Sequence, residues 1–371
     1  MAFRRLKLLG LIKSRLKALI YLLKTRGLKS AYNFIWVHIF TRDSGLALMD
    51  PIIRKFPILA PYPEQIEVEI TTKCHLKCTM CEHTYWNEQP KDMSLDEFKK
   101  IIDQFPKLKW LGITGIGSNF LNKDFIQILS YVKRKSVYVE FFDTFDLINE
   151  INAEELIKVG VDKIWMSIDA ANKETYNAIR IGTDFDKVVR NVKTLMKIKK
   201  KYKSPFPEIF FHFIINNSNF NELPDFIRLV HSIVNSGYNL ATLIYFSSIL
   251  QFKEIEYMKT TLPEKIKTET EKCAKDLNIF VGWNQNIKQT RCVKDCTRWT
   301  EPFILATGHV QPCCAINEAN TRQYQKDNSL GNLLYTDFRK IWKNEFNDLI
   351  NSIHNNKFPD ICRHCRNFVQ K

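Results

Sequence analysis

The stretch Ile66-Glu67-Val68-Glu69-Ile70-Thr71-Thr72-Lys73-Cys74-His75-Leu76-Lys77-Cys78-Thr79-Met80-Cys81 decides the reading of this chain. Ile66–Ile70 alternates apolar and polar residues, as a strand does. A loop with three cysteines at C-x3-C-x2-C spacing follows at once. Three soft thiolates on one short loop suit iron–sulfur or zinc. A closed structural zinc site needs a fourth ligand, which His75 or His83 could supply. Three cysteines without a fourth suit a cubane with one iron left open to bind a small molecule and do chemistry on it.

Outward from this loop, strand and helix patterns alternate. Further strands are predicted at Lys109–Thr114, Val137–Phe142, Lys163–Ile168, Ile209–Ile215 and Leu240–Phe246. Between them, Ser94-Leu95-Asp96-Glu97 is a capping box that starts a helix near Leu95. Helices are also predicted near Asp124–Lys133, over Ala153–Val159 with Gly160 as its stop, over Phe185–Lys199 and near Leu223–Val234. Such alternation implies βαβ units, an α/β fold and a parallel sheet. In barrels of this kind chemistry sits at the C-terminal ends of the strands, where the three-cysteine loop falls.

Near residue 285 the character changes. Six cysteines fall within Cys292–Cys365, with Gly308 and Pro312 among them, and a separate C-terminal domain is expected. The division is residues 1–60, a basic helical extension; 61–285, the barrel; and 286–371, a cysteine-rich domain.

The chain has 371 residues, 45% of them hydrophobic, enough for a core of more than one domain. No secretory signal pattern is visible, so a reducing cytoplasm is expected, where clustered cysteines suggest metal rather than disulfides. The net charge of +15 is uneven. Residues 1–42 hold ten Lys or Arg and no acid, leaving only +5 on the rest. A nucleic-acid substrate is disfavoured, because its footprint would surround the active site. The basic segment also carries Leu8, Leu9, Leu11, Ile12, Leu16, Leu19, Ile20, Leu22 and Leu23 at broadly helical spacing, with no run long enough to span a bilayer. It reads either as a helix lying on an anionic membrane surface through residues 1–40, at the inner face of the membrane, or as an extension packed on the barrel or a partner.

The three-cysteine loop after a first strand resembles the radical S-adenosylmethionine (radical SAM) superfamily. Later segments extend the resemblance. Gly115-Ile116-Gly117-Ser118-Asn119-Phe120-Leu121-Asn122 is similar to the family's G-x-G-E-P-L-x-N turn, with Ser118 for the usual Glu and Asn119 for the usual Pro. Asp143-Thr144-Phe145 stands where many relatives have Thr-Asn-Gly. Ser167-Ile168-Asp169, then Glu174-Thr175-Tyr176 and Ile179-Arg180, resemble the S-x-D…e-t-y…i-R pattern, and Asn219 with Glu222 matches N-x-x-E. Cys296, Gly308, Cys313-Cys314, Leu330-Gly331-Asn332-Leu333, Ile341-Trp342 and Cys362-x2-Cys365 resemble the SPASM/Twitch extension of such enzymes.

The resemblance implies a partial (β/α)6 TIM-like barrel with a small C-terminal iron–sulfur domain. It implies a 4Fe-4S cluster on Cys74, Cys78 and Cys81 that binds S-adenosylmethionine, cleaves it reductively to a 5′-deoxyadenosyl radical and thereby abstracts hydrogen from substrate. Met80, Gly115, Gly117, Ser118, Ser167, Asp169 and Arg180 are the candidates for placing the cofactor. One auxiliary 4Fe-4S cluster is expected on Cys296, Cys313, Cys362 and Cys365, with Cys292 an alternative to Cys296 and a zinc ribbon the competing reading. The expected partners are an unidentified substrate (a peptide, sugar, alcohol or envelope precursor) and a reductase or flavodoxin/ferredoxin-type electron donor. A nucleic-acid-modifying radical enzyme and a zinc-binding interaction module are the alternatives.

Overall fold

The computed structural model describes residues 2–41, 47–234, 242–284, 292–318, 320–365 and 368, with the backbone alone for residues 2–12. Seven strands run parallel: β1 (Gln65–Val68), β2 (Trp110–Ile113), β3 (Tyr138–Asp143), β4 (Lys163–Ser167), β5 (Glu208–Ile215), β6 (Leu243–Ser248) and β7 (Phe280–Asn284). The sequence predicts six. β7 escapes it because Phe280-Val-Gly-Trp-Asn is short, holds Gly282 and is half-buried throughout, so it carries no clean alternation. The predicted start of the sixth strand at Leu240 and the boundary at residue 285 lie outside the described residues.

Two short strands of the cysteine-rich region, β8 (Phe303–Ile304) and β9 (Val310–Gln311), continue the same sheet. β8 pairs parallel with β1, with Glu67 opposite Phe303 and Val68 opposite Ile304, and the full order is β7-β6-β5-β4-β3-β2-β1-β8-β9. The C-terminal domain is thus sewn onto the strand that carries the three-cysteine loop.

Helices α1 (Ala2–Thr25), α2 (Gly27–Phe40) and α3 (Asp50–Lys55) precede the sheet. The short α4 (Glu82–Tyr85) follows the cysteine loop. Then come α5 (Leu95–Ile102), α6 (Phe125–Arg134), α7 (Glu150–Val159), α8 (Lys173–Ile179), α9 (Phe185–Lys201), α10 (Leu223–Val234) and α11 (Glu264–Asp276). The capping box forms: Glu97 N–H donates to Ser94 Oγ at 3.2 Å and Ser94 N–H to Glu97 Oε2 at 2.8 Å. Gly160 ends α7 in the left-handed region (φ 86°), which a Cβ would oppose. Alternate strand residues such as Ile113, Phe141, Met166, Phe211 and Phe246 face these helices and form the main core.

The N-terminal ends of the strands are closed by α1 and α2. Ala18, Leu22, Ala31, Phe34 and Val37 bury against Trp110, Tyr138 and Phe206. Arg15 Nη1 donates to both Glu208 oxygens, at 2.7 and 2.8 Å, and Arg26 Nη1 reaches Gly160 O at 2.7 Å and Asp162 Oδ1 at 2.9 Å. Burial pushes the Glu208 carboxyl up, but Arg15, with His38 and Lys163, holds it below its usual range. The basic segment is therefore the floor of the barrel on one face, and the charges at Arg15 and Arg26 serve that packing.

Candidate functional site

At the opposite, C-terminal ends of the strands, the loops after β1, β2, β3 and β4 meet. The cysteine loop is irregular backbone, yet its polar groups are matched. Thr72 N–H donates to Lys91 O (2.9 Å), Lys77 N–H to Ile181 O (2.8 Å), Thr79 N–H to Ile179 O (2.9 Å), and Thr84 Oγ1 to Cys78 O (2.7 Å). Thr71 Oγ1 and Lys73 Nζ both hold Asp92, at 2.6 and 2.7 Å. Such clamping fixes a loop that has no ladder of its own. Cys78 is buried, with Cys74 and Cys81 half-buried. Burial pushes all three thiols up; around Cys78 the Arg180 guanidinium works in the other direction.

The two histidines weighed as a fourth ligand are engaged. His75 Nε2 pairs with Asp146 Oδ2, and His83 Nε2 lies 3.0 Å from Thr72 O, which leaves Nδ1 of His83 as its unbonded nitrogen. Met80 is buried in an apolar cluster with Ile179, Ile249, Phe252, Ile255 and Met258.

The turn after β2 lies directly on this loop. A Cβ on Gly117 would stand 2.2 Å from Thr71 O, and one on Gly115 (φ 152°) would stand 2.4 Å from Glu69 Cγ. Gly117 is required for the close approach of its backbone to that of Thr71, and Gly115 for its positive φ against the Glu69 side chain. Ser118 is buried and its N–H donates to Lys73 O at 2.8 Å. Asn122 Nδ2 bridges Ile70 O and Met93 O at 2.8 and 2.9 Å. Glu69, absent from the sequence-based site, sits at the centre. Its carboxylate accepts from Ile116 N–H (3.1 Å), Ala306 N–H (3.2 Å) and Arg322 Nη2 (2.7 Å). Arg322 and Ala306 belong to the C-terminal region, so this buried pair ties both domains to the glycine turn. Glu69 and Arg322 are 253 residues apart, and nothing in either local sequence marks them as partners.

Ser167 closes β4 half-buried, and Asp169 follows fully buried. Arg180 Nε donates to Asp169 Oδ2 at 2.6 Å, and its Nη2 pairs with the same oxygen. Ile214 N–H reaches Oδ1 at 2.7 Å. Asn219 Nδ2 holds Asp169 O at 2.8 Å and Glu222 Oε2 accepts Ala171 N–H at 2.7 Å. Arg180 Nη1 stands 4.0 Å from Cys78 Sγ. The S-x-D, i-R and N-x-x-E segments thus converge on one buried knot beside Cys78 of the three-cysteine loop. Inward-facing Phe142, Trp165, His212 and Tyr245 add rings that the sequence reading did not select. Phe142 and Trp165 stack at 5.6 Å, and His212, bonded to Ser247 Oγ at 2.7 Å, stacks on Tyr245 at 5.9 Å. Burial lowers His212 to about 4, so its ring is neutral at pH 7.

Asp143, at the end of β3, is pushed up to about 7, chiefly by burial and further by Asp146, against the hydrogen bond from Phe145 N–H. Unfolded, it titrates near ~4. The folded state holds the proton more tightly, a contribution complete below about pH 4 and lost as pH rises through about 7. Asp143→Asn is therefore expected to lose less stability than the parent between about pH 5 and about pH 8, read as urea midpoints. Equal declines would show that Asp143 ionises freely.

In the C-terminal region, Cys296 follows a 3-10 turn (Val293–Asp295), Cys313 follows β9, and Cys362 and Cys365 share the last turn, with Cys365 N–H on Cys362 O at 2.9 Å. Burial raises the Cys313 and Cys362 thiols. Cys296 and Cys365 raise both further, and Cys313 also acts on Cys362, so these four sulfurs share one neighbourhood. Burial pushes the Cys314 thiol up, as does the charge of Glu67 on β1, while Arg298 works in the other direction. The remaining motif residues are scaffold. Gly308 (φ 83°) fits against Asn332 and Leu334, Gly331 (φ 144°) against Ile341, and Asn332 Nδ2 bonds Thr307 O at 2.9 Å. Three helices complete the region: α12 (Arg322–Asp327), α13 (Phe338–Lys343) and α14 (Glu345–His354). Among the described residues no three Cys, His, Asp or Glu side chains are already arranged around a single ion. Both donor sets are nevertheless thiols of the soft kind that suit iron–sulfur clusters, three on one loop and four on the other domain. Cys273 lies apart, half-buried on α11, 3.6 Å from Pro224 O.

Comparison with known proteins matches the Radical SAM superfamily over residues 68–230 and SPASM, an iron–sulfur cluster-binding domain, over residues 292–366. The chain is similar to the tungsten-containing aldehyde ferredoxin oxidoreductase cofactor-modifying protein of Pyrococcus furiosus, at 29% identity over 43% of this chain and 46% of that protein. It is also similar to mycofactocin maturase MftC of Mycolicibacterium smegmatis, at 25% identity over 43% and 40%. It spans about half the length of the curated relatives it matches. In fold it is similar to Streptococcus suis SuiB bound to S-adenosylmethionine, with a TM-score of 0.61, 13% identity, and 95% of this chain on 86% of that one. It likewise resembles native anSMEcpe with bound AdoMet, with a TM-score of 0.52, 18% identity, and 81% on 88%.

Proposed function

Because this chain belongs to the radical SAM superfamily and carries a SPASM domain, we propose that it is a maturase that takes hydrogen from a peptide substrate. The family holds a 4Fe-4S cluster and S-adenosylmethionine, and SPASM domains hold auxiliary iron–sulfur clusters. When bound, the catalytic cluster and S-adenosylmethionine supply a carbon radical able to take hydrogen from an unactivated carbon. The observation that carries the reading is the seating of the Cys74–Cys81 loop on the Gly115–Gly117 turn, with Cys78 beside the Asp169–Arg180 knot. Cys74, Cys78 and Cys81 would hold the catalytic cluster and, as a set of three, would leave one iron without a protein ligand. Gly115, Gly117, Ser118, Ser167, Asp169 and Arg180 would line the cofactor's place, and Met80 would pack the loop from its apolar side. Cys296, Cys313, Cys362 and Cys365 hold one auxiliary cluster. The maturase reading is supported by the likeness to mycofactocin maturase, and the peptide class by the likeness in fold to SuiB, which is also known bound to precursor peptide SuiA. Electrons would come from a reductase or a flavodoxin- or ferredoxin-type donor, in the cytoplasm.

Anaerobic reconstitution with iron, sulfide, S-adenosylmethionine and dithionite tests this, with short peptides encoded beside the gene as substrates. Deoxyadenosine together with a peptide that has lost hydrogen supports the proposal. Cluster-loaded protein that releases no deoxyadenosine overturns it. Deoxyadenosine with every such peptide unchanged overturns the peptide class alone.

Gly117→Ala is expected to weaken S-adenosylmethionine binding at least about tenfold, since its Cβ must displace the Thr71 backbone. Iron content should not change. Calorimetric titration reads the affinity, and an unaltered value would place the turn away from the cofactor.

A further inference from the structure

Helix α1 has apolar residues on two faces. One face, through Ala18 and Leu22, packs into the barrel floor. The other carries Leu16, Ile20 and Leu23, all exposed, beside exposed Lys13, Lys17 and Lys24. At 100° per residue these six fall within about 120° of the helix circumference. In α2 the pattern repeats: Phe34 and Val37 are buried, whereas Leu28, Tyr32 and Ile35 point away from the barrel, Leu28 at 81% exposure. Of the seventeen large hydrophobics exposed among the described residues, six lie on α1 and α2. Exposed apolar residues concentrated on one helical face and interleaved with lysines mark an interaction site rather than ordinary surface.

We propose that the outward face of α1 and α2 docks on an anionic lipid bilayer, setting the barrel mouth away from the membrane. Charge selects this occupant. The face presents Lys13, Lys17 and Lys24, and residues 1–42 contain no acid to offset them, so two copies of the face would repel one another. A phosphate backbone would use the lysines but would leave the interleaved Leu and Ile in water, whereas a bilayer interface takes both. No helix among the described residues is long and apolar enough to cross a membrane, which fits contact in the interfacial plane. Because α1 and α2 close the N-terminal ends of the strands, the cysteine loop at the opposite ends stays open to substrate. The proposal goes beyond the catalytic reading and does not depend on it.

Cosedimentation of the full cluster-loaded chain with phosphatidylglycerol/phosphatidylcholine vesicles tests it, with pure phosphatidylcholine vesicles as comparison. Binding to the anionic vesicles, weakened by salt, is expected. Lys13→Gln with Lys17→Gln and Lys24→Gln should lower partitioning about a hundredfold, at roughly fivefold per lysine. Leu16→Ser with Ile20→Ser and Leu23→Ser should lower it at least tenfold. Circular dichroism and deoxyadenosine release should stay as in the parent for both. Absence from the anionic pellet, or triple variants that pellet like the parent, overturns the proposal. So does a dimer, or an RNA complex, that these same substitutions abolish while vesicles are not bound.

Discussion

Cys78→Ala is expected to abolish deoxyadenosine formation and to remove about half of the iron and sulfide, from roughly eight of each per chain to roughly four. The reason is geometric. Cys78 is the buried member of the trio, and its carbonyl accepts from Thr84 Oγ1 and Cys81 N–H, so an alanine keeps the loop while removing a thiol that, on the proposed reading, would ligate the cluster. Cys74→Ala and Cys81→Ala should behave alike. The informative contrast is Cys313→Ala. It should also lose about half of the iron, from the other domain, yet still release deoxyadenosine when S-adenosylmethionine and dithionite are added without substrate. Iron and sulfide assays beside chromatographic deoxyadenosine measurement separate the two clusters. If Cys78→Ala kept the radical chemistry, the open-iron reading would be wrong. If Cys313→Ala kept its full iron content, the auxiliary set would be wrong.

The second large effect is on folding. Arg180→Ala leaves the fully buried Asp169 carboxylate with Ile214 N–H as its remaining partner among the hydrogen bonds described, at an expected cost of about 3–5 kcal/mol. Arg180→Lys keeps the charge but loses the two-nitrogen grip on Oδ2, and should fall between the two. Urea denaturation of the iron-loaded proteins reads the difference as a shift in midpoint. Because Arg180 also stands 4.0 Å from Cys78 Sγ, the lysine variant should lose deoxyadenosine release out of proportion to its stability. A midpoint for Arg180→Ala equal to that of the parent would mean that the knot contributes nothing to the fold.

Much of the architecture was legible from local pattern. Strand alternation, the Ser94–Glu97 capping box and the Gly160 stop are rules a few residues long, and they place β1 to β6 to within a few residues over the described chain. The cysteine loop and the glycine turn were legible because their chemistry demands particular residues at fixed short spacing. The role of Arg180 was half legible. Its planar fork does suit a carboxylate, but that carboxylate proves to be Asp169, eleven residues earlier in the chain. β7 was not legible, because half-burial on both faces erases the period-two signal.

The sequence by itself determined the chemistry this protein can support: thiols in a set of three and a set of four, glycines where a turn must lie close against its neighbour, and basic residues concentrated in one segment. Only the tertiary structure decided how those parts are used. It brought Arg322 onto Glu69 across 253 residues, laid β8 against β1, and turned half of the basic segment inward as the barrel floor. The physical reason is that burial and charge pairing are settled by what lies nearby in space, and residues distant along the chain leave no local trace of meeting.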